Sequence, residues 1–311
     1  MKILVVGAGA IGGYFGSRLL AAGADVTFLV RARRAEQLRR DGMQVVSPLG
    51  DLNLPAPALV SAGRFDHRYD LVLLSCKAYD LQASIEDFAA AMGPASLVLP
   101  LLNGMRHLDV LDARFGRERV LGGLARISGT LDAQGRIVHM GRFQSFAFGA
   151  REARAQSAMP ALVEALRAPG FEALLSEDIV HEMWEKWVFI AAAGATTCLM
   201  RASVGDLVNA GAQNIAAGML EECGAIAAAN QFAPRPNATK VGVSVLTEPG
   251  STFTASMLRD VELGNRIEAD HIVGDMLSRR GSVAAPLLST AYAHLRAYEA
   301  RRLRESAAKS G

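Results

Sequence analysis

The opening thirty-four residues constrain this chain more than any other stretch. Residues 1–6 form a short apolar run, Gly7-Ala8-Gly9-Ala10-Ile11-Gly12 follows without a break, and residues 13–22 carry a helical pattern closed by Gly23. Residues 25–30 then read as a second strand, with Arg31, Arg33 and Arg34 just beyond its end. Glycine-rich turns are common. Strand, glycine turn, helix and strand in that order is the context in which G-x-G-x-x-G holds a dinucleotide. Gly7 makes the tight turn, Gly9 lets a pyrophosphate approach the backbone, and Gly12 lets helix and strand pack closely. The helix N-terminus offers N–H groups and a partial positive charge to the phosphates.

The end of the second strand selects the cofactor. NAD sites place Asp or Glu there, against the ribose 2′-hydroxyl. This chain has Arg31, with Arg33 and Arg34 close by. A guanidinium grips a 2′-phosphate with two parallel hydrogen bonds, so NADP is the expected cofactor. The competing explanation is a solvated basic helix start, since Arg33, Arg34, Arg39 and Arg40 also form a surface pattern.

A chain of 311 residues suggests two domains, and its 50% hydrophobic content suffices for a large core. A formal charge of +2 gives no electrostatic footprint for nucleic acid or a membrane surface. Cys76, Cys198 and Cys223 are odd in number, far apart and outside any C-x-x-C, and no H-x-x-x-H or H-x-H occurs. Neither a disulfide framework nor a metal site is expected. The longest apolar run, residues 187–200, is too short to span a bilayer. Lys2 before apolar residues faintly imitates a signal peptide, but cleavage there would destroy the glycine fingerprint. A soluble, cytoplasmic protein is expected.

Further along, residues 35–40 finish a short helix, and residues 43–46 and 51–54 suit a hairpin around Pro48-Leu49-Gly50. Residues 70–75 are nearly continuously apolar, as in a parallel strand covered on both faces. Lys77 stands at its carboxyl end, where open α/β sheets bind ligands, although an ordinary loop lysine would look the same. Cys76 reads as a small core residue rather than a nucleophile. Residues 79–92 read as a helix stopped by Gly93-Pro94, and residues 96–102 as a buried strand ending in Asn103-Gly104. The Asn103 amide suits a carbonyl or carboxamide ligand, or simply a turn. Residues 120–131 and 137–149 alternate as strands about Gly135, and residues 157–167 read as a helix ended by Pro169-Gly170.

From Glu177 onward only helices are expected: 179–198, 204–229 as one or two, a pair within 250–280, and 287–304, followed by a frayed polar tail, 305–311. The predicted fold class is α/β. A Rossmann-type dinucleotide-binding domain, residues 1–176, precedes an all-helical substrate domain, residues 177–311. The apolar helical half is explained equally by a core or by a homodimer face.

Two residues in that half can carry chemistry. The i±3 and i±4 neighbours of Lys186 are Glu182, Met183, Phe189 and Ile190, so its ammonium lies at the edge of a greasy face. Desolvation lowers a lysine pKa and makes it a proton donor near neutrality. A Glu182–Lys186 surface pair explains the same spacing. Residues 251–263 read as one helix broken by Gly264-Asn265, and Asn265 with Glu268 forms a capping-box-like start. Glu268 is thus a capping carboxylate or a ligand group. On an unbroken helix Ser256 and Glu268 would stand about 18 Å apart, whereas a reversal at Gly264 would bring them closer. Ser256 suits a substrate carboxylate, or a bond to its own helix.

Taken in order, Gly7 to Gly12, Arg31, Ser75-Cys76-Lys77-Ala78, Asn103-Gly104-Met105, Met183-Trp184-Glu185-Lys186, Ser256-Met257-Leu258-Arg259-Asp260 and Glu268-Ala269-Asp270 cover nearly the whole chain. In them the chain resembles the ketopantoate reductase family, the 2-dehydropantoate 2-reductases. The resemblance implies an NADPH-dependent reduction of ketopantoate to pantoate, a step of pantothenate biosynthesis. It implies cofactor contacts from Gly7, Ala8, Gly9, Ala10, Ile11, Gly12, Arg31, Lys77 and Asn103. Lys186 becomes the general acid that stabilises and protonates the developing oxyanion, Asn103 fixes it or the substrate, Ser256 binds the carboxylate, and Glu268 accepts from the distal hydroxyl. Closure of two domains over the ligand is also implied.

Where the family's best-known members carry asparagines four and eight residues after the lysine, this chain has Ile190 and Gly194. Where an asparagine often stands three before the serine, it has Phe253. A site that loses such polar groups loses preference for a polar substrate, so a different, more apolar branched 2-keto acid is the alternative. A non-catalytic NADP-binding sensor is a third reading. Retention of Lys186 and Glu268 speaks against it.

Overall fold

A computed structural model of the chain describes residues 1–310. They divide into two compact units. One comprises Met1–Leu102 and His107–Val180, the other Asn103–Arg106 and the residues from His181 onward.

The first unit holds ten strands: β1 (Lys2–Val6), β2 (Asp25–Leu29), β3 (Met43–Val46), β4 (Leu52–Leu54), β5 (Ala58–Val60), β6 (Tyr69–Leu74), β7 (Met92–Pro100), β8 (Gly122–Leu131), β9 (Ile137–Gly149) and β10 (Glu172–Leu175). Five of them make a parallel sheet in the order β5-β2-β1-β6-β7. Strands β1 and β6 are apolar runs because both faces are covered: Ile3, Leu4, Val5 and Leu71 to Leu74 have no exposed surface. Connections leave β1 towards β2 and β5, and later reach β6 and β7 on its other side. The order therefore reverses beside β1, the place where such sheets take ligands.

Helix Ala10–Ala21 crosses from β1 to β2 and buries Tyr14, Phe15 and Leu19. Phe15 meets Phe146 and Phe171 edge-on, with ring centroids 5.0 and 5.1 Å away. The helix begins three residues before the sequence pattern predicts, inside the glycine fingerprint, because Gly9 is its N-cap. Its end is as expected: Gly23 adopts φ +87°, and Ala24 N–H bonds back to the Leu19 carbonyl.

A second, mixed sheet has the order β10-β9-β3-β4, with β8 antiparallel to β9. The predicted β3–β4 hairpin is present, pairing Met43 with Leu54. Gly93-Pro94 does not stop a helix, as the sequence pattern predicts, but lies in β7. The preceding helix ends at Phe88 with a 3-10 turn, Ala89–Ala91. The Gly93 carbonyl is held by the Arg119 guanidinium at 2.6 Å, and Gly93 N–H donates to Ser96 Oγ at 2.8 Å.

Among the described residues the second unit is helical throughout. Helix Ile179–Met200 leads into Val204–Asn209, Gln213–Ala229, Pro236–Leu246, Ser256–Glu262, a π-helical turn Asp270–Gly274 running into Asp275–Ser278, and Pro286–Ser310. The single helix predicted for residues 251–263 is confined to Ser256–Glu262. Residues 251–253 are committed elsewhere: the Ser251 and Phe253 carbonyls accept from Gly205 and Val204 N–H at 2.8 and 3.0 Å. The last helix continues through Ser310, where a frayed tail is predicted from residue 305. Gly311 lies outside the described residues. The Glu222 carboxylate caps this helix by accepting from Leu287 and Leu288 N–H at 3.0 and 2.8 Å. No helix of the described residues is long and apolar enough to cross a membrane.

Candidate active site

In the first unit the glycine turn is built as a cradle. Gly7 has φ +93°, a region that L side chains rarely adopt, and its N–H bonds to the Leu29 carbonyl at 3.0 Å. A Cβ at Gly12 would collide with the Gly7 carbonyl oxygen and with Ser75 Oγ. A Cβ at Gly9 would meet nothing within 4 Å, so the open side of the turn is where a ligand can approach the backbone. Gly9 brings no side chain to cap the helix, and the first turn, Ala10-Ile11-Gly12, carries no acid. That donor set fits a diphosphate. Ala8 is buried, and Ile11 packs against the core.

The three arginines after β2 have separate roles. The Arg31 side chain is 71% exposed, and its guanidinium pairs with the Asp80 carboxylate at 3.1 Å. Arg33 is exposed. Arg34 is turned inward: Nε donates to the Ala8 carbonyl at 3.1 Å, and Nη1 to the Gly135 carbonyl and Gln37 Oε1 at 2.7 and 2.8 Å. Burial pushes its pKa down. Arg34 thus fastens the glycine turn to the β8–β9 turn, a positioning role that its place in a basic cluster concealed. Lys77 is exposed just past β6, and its carbonyl accepts from Asp80 N–H at 2.9 Å. Cys76 is half-buried.

In the second unit Lys186 Nζ donates to Asn103 Oδ1 at 2.9 Å. The residues around Lys186 explain its placement on helix Ile179–Met200. Met183, Trp184 and Trp187 are buried, and Trp184 stacks on Phe232 at 5.2 Å between centroids. Glu185 takes two side-chain bonds from Arg235 at 2.8 and 2.6 Å. Partial burial pushes the Glu185 carboxyl up, but the Arg235 hydrogen bonds outweigh it and hold it below the usual range.

Asn103 is set by Gly104, which has φ +81° and whose Cβ would come within 2.7 Å of the His271 carbonyl oxygen. The Asn103-Gly104 turn therefore lies on the π-helical turn that follows Glu268. Trp187 secures that turn beside Gly104, its indole Nε1 donating to the Ile272 carbonyl at 2.9 Å. Burial and the nearby Arg106 cation push the His271 pKa down.

Glu268 is 8% exposed. It is not the third residue of a helix capped by Asn265, as the capping-box pattern predicts. Its own carbonyl accepts the first helical bonds, from His271 and Ile272 N–H at 3.1 and 3.0 Å. Asn265 instead belongs to the end of the previous helix, where its N–H bonds to the Asp260 carbonyl at 2.8 Å and Gly264 takes φ +71°. The helix break expected at Gly264 is therefore present.

Ser256 is exposed at the start of its helix. Its neighbour Met257 is buried, with Cε 3.3 Å from where a Gly194 Cβ would stand. Gly194 is eight residues beyond Lys186, about 12 Å along the helix axis. Ile190 lies between them, half-buried, and the Phe189 and Phe253 rings stand 6.0 Å apart. The structure thus gathers Asn103, Lys186 and the turn after Glu268. Ser256 lies beside the apolar continuation of the same helix. Asp80, Trp187 and His271 went unnoticed in the sequence, and Arg34 was read only as one of a basic cluster, because nothing in their spacing reveals partners so far along the chain.

Two family models match the chain: Ketopantoate reductase PanE/ApbA over residues 3–153, and Ketopantoate reductase PanE/ApbA C terminal over residues 178–299. An uncharacterized oxidoreductase of Bacillus subtilis, YkpB, is 38% identical over 96% of this chain and 99% of its own length. A 2-dehydropantoate 2-reductase of Archaeoglobus fulgidus is 28% identical over 89% of this chain and 90% of its own. Among solved structures, a 2-dehydropantoate 2-reductase from Geobacter metallireducens superposes with a TM-score of 0.86 at 25% identity, over 95% of this chain and 99% of that one. The same fold, at a TM-score of 0.87 and 22% identity, occurs in a D-mandelate dehydrogenase solved with NADH and anilino(oxo)acetate, over 97% of this chain and 99% of that one. Matched in both halves by these models, and along nearly its whole length by an oxidoreductase, the chain belongs to the ketopantoate reductase family of oxidoreductases.

Proposed function

We propose that this enzyme reduces a 2-keto acid, with ketopantoate as the leading substrate, NADPH as the reductant and Lys186 as the proton donor. The observation that carries the reading is the 2.9 Å bond from Lys186 Nζ to Asn103 Oδ1. An ammonium has three N–H donors, and a neutral amide oxygen orients it without cancelling its charge. A lysine so held can face a keto oxygen, stabilise the negative charge that grows there and then protonate it. When bound in the glycine cradle, the reduced nicotinamide supplies the hydride.

Glu268, buried beside the turn that Asn103-Gly104 covers, suits a substrate hydroxyl as hydrogen-bond acceptor. The exposed Ser256 hydroxyl suits the substrate carboxylate. Arg31 is the group for a 2′-phosphate, and Lys77 stands at the carboxyl end of β6, where ligands bind.

A second reading concerns the substrate's side chain. Ile190, the Phe189–Phe253 pair and Met257 over Gly194 line the stretch of helix beyond Lys186 with apolar groups. These favour a more apolar 2-keto acid, branched or aromatic. The test is NADPH oxidation with ketopantoate beside a panel of branched and aromatic 2-keto acids, for wild type and Lys186→Ala. Rapid turnover of ketopantoate selects the first reading, and turnover of apolar members alone selects the second. Turnover unaffected by Lys186→Ala would overturn the role given to the lysine.

A further inference from the structure

Arg31 does not stand alone at the end of β2. Its guanidinium lies 3.1 Å from the Asp80 carboxylate, which follows β6 in the short turn Ala78–Asp80. Strands β2 and β6 are the two neighbours of β1 in the sheet. An ion pair that joins their carboxyl ends therefore reaches over the carboxyl end of β1, where the glycine turn begins. The pair is exposed, with side chains 71% and 33% accessible, and exposed ion pairs are weak enough for a ligand to displace.

We propose that Asp80 sets the choice between the two nicotinamide dinucleotides by competing with the 2′-phosphate for Arg31. The inference rests on the dinucleotide reading of the glycine turn. Each edge of the planar guanidinium binds one oxyanion group, either a carboxylate or a phosphate, and Asp80 occupies the Nη2 position. A phosphate arriving at the Nη2 edge must displace the carboxylate, and one arriving at the other edge remains close to a second negative charge. A ribose that ends in a 2′-hydroxyl meets neither cost, and a nearby carboxylate can accept its hydrogen bond, as in NAD sites. Arg31 favours the phosphorylated ligand and Asp80 restrains that preference, so the pair leaves room for both cofactors. Arg34 does not relieve the competition, because its guanidinium is tied to the Ala8 and Gly135 carbonyls.

The test is calorimetric titration of the full chain, without substrate, using 2′,5′-ADP and 5′-ADP. The quantity of interest is the factor by which the 2′-phosphate tightens binding. In Asp80→Asn, which keeps the shape and removes the charge, that factor should rise about fivefold at low salt, while 5′-ADP affinity stays within about twofold. The gain should shrink at high salt, as expected for exposed charges. An unchanged or smaller factor would overturn the proposal and make Asp80 a residue that presents Arg31 to the phosphate. Failure of the wild type to bind either nucleotide would instead remove the dinucleotide reading itself, and the proposal with it.

Discussion

Asn103 and Lys186, eighty-three positions apart in sequence, meet through a single 2.9 Å hydrogen bond from ammonium to amide oxygen. If that bond aims the proton donor, the two residues should fail in a graded way. Lys186→Ala should lower kcat by about 10²–10⁴, the range for loss of a general acid. Asn103→Asp, which retains an acceptor but adds a charge, should shift the pH profile of kcat towards higher pH, because a neighbouring carboxylate favours the charged lysine. Steady-state rates across pH decide this, and an unmoved profile would mean that Asn103 does not act through Lys186.

The clash awaiting a side chain at Gly12 gives a prediction for the first unit. Gly12→Ala must push apart the Gly7 carbonyl and Ser75, both part of the turn. Overpacking of this kind costs about 1–3 kcal/mol. Denaturant titration should show that loss, and calorimetry should show dinucleotide affinity falling by more than tenfold. Retained affinity in a destabilised protein would separate packing at Gly12 from the ligand cradle.

Trp187 offers a complementary test in the second unit. Trp187→Phe keeps an aromatic body but removes the N–H that the Ile272 carbonyl accepts inside the π-helical turn. Loss of one such hydrogen bond costs about 0.5–1.5 kcal/mol. Hydrogen exchange should quicken first at residues 269–275. If protection there is unchanged, the indole bond is not what holds the turn.

His271 makes stability depend on pH in a definite direction. Its folded pKa lies below the ordinary value of 6.5, through burial and the Arg106 cation. Between those two pKa values the unfolded chain binds a proton that the folded chain refuses, so acidification favours unfolding. The contribution is fully present above about pH 6.5 and is lost as pH falls towards the folded pKa. His271→Asn should flatten the decline of urea midpoints between about pH 7 and pH 5. An identical slope in the variant would place the dependence elsewhere.

The parts of the fold that could be read in advance are those whose physics is local or repeated. The β1 and β6 runs are apolar because both faces are covered, Gly7 and Gly23 mark turns whose geometry few other residues tolerate, and Gly12 marks a close approach that a side chain would block. Lys186 and Asn103 were visible through their motifs, but their bond was not, since no spacing rule links positions so far apart. The same is true of Asp80 beside Arg31. Arg34 was misleading for a related reason: a run of arginines looks uniformly solvated until one of them finds two carbonyls. Residues 251–255 have a helical pattern, yet the Ser251 and Phe253 carbonyls serve the N-terminus of another helix, so tertiary hydrogen bonds outweigh local propensity. Strands β5 and β10, three and four residues long, are too short for alternation to stand out.

Four residues, Asn103–Arg106, leave the first unit in mid-sequence and belong to the second. The backbone consequently passes from one unit to the other three times rather than once. A protease that cuts only near residue 180 would not divide the protein into its two bodies, because the Lys186 partner would remain on the other fragment. Nor can the gene be cut there to yield a complete helical half. A fragment starting at His181 lacks the amide that holds its lysine and the glycine that seats on the π-helical turn. The Lys186–Asn103 pair is thus a product of chain threading, and it survives only in a polypeptide that contains both ends of the loop.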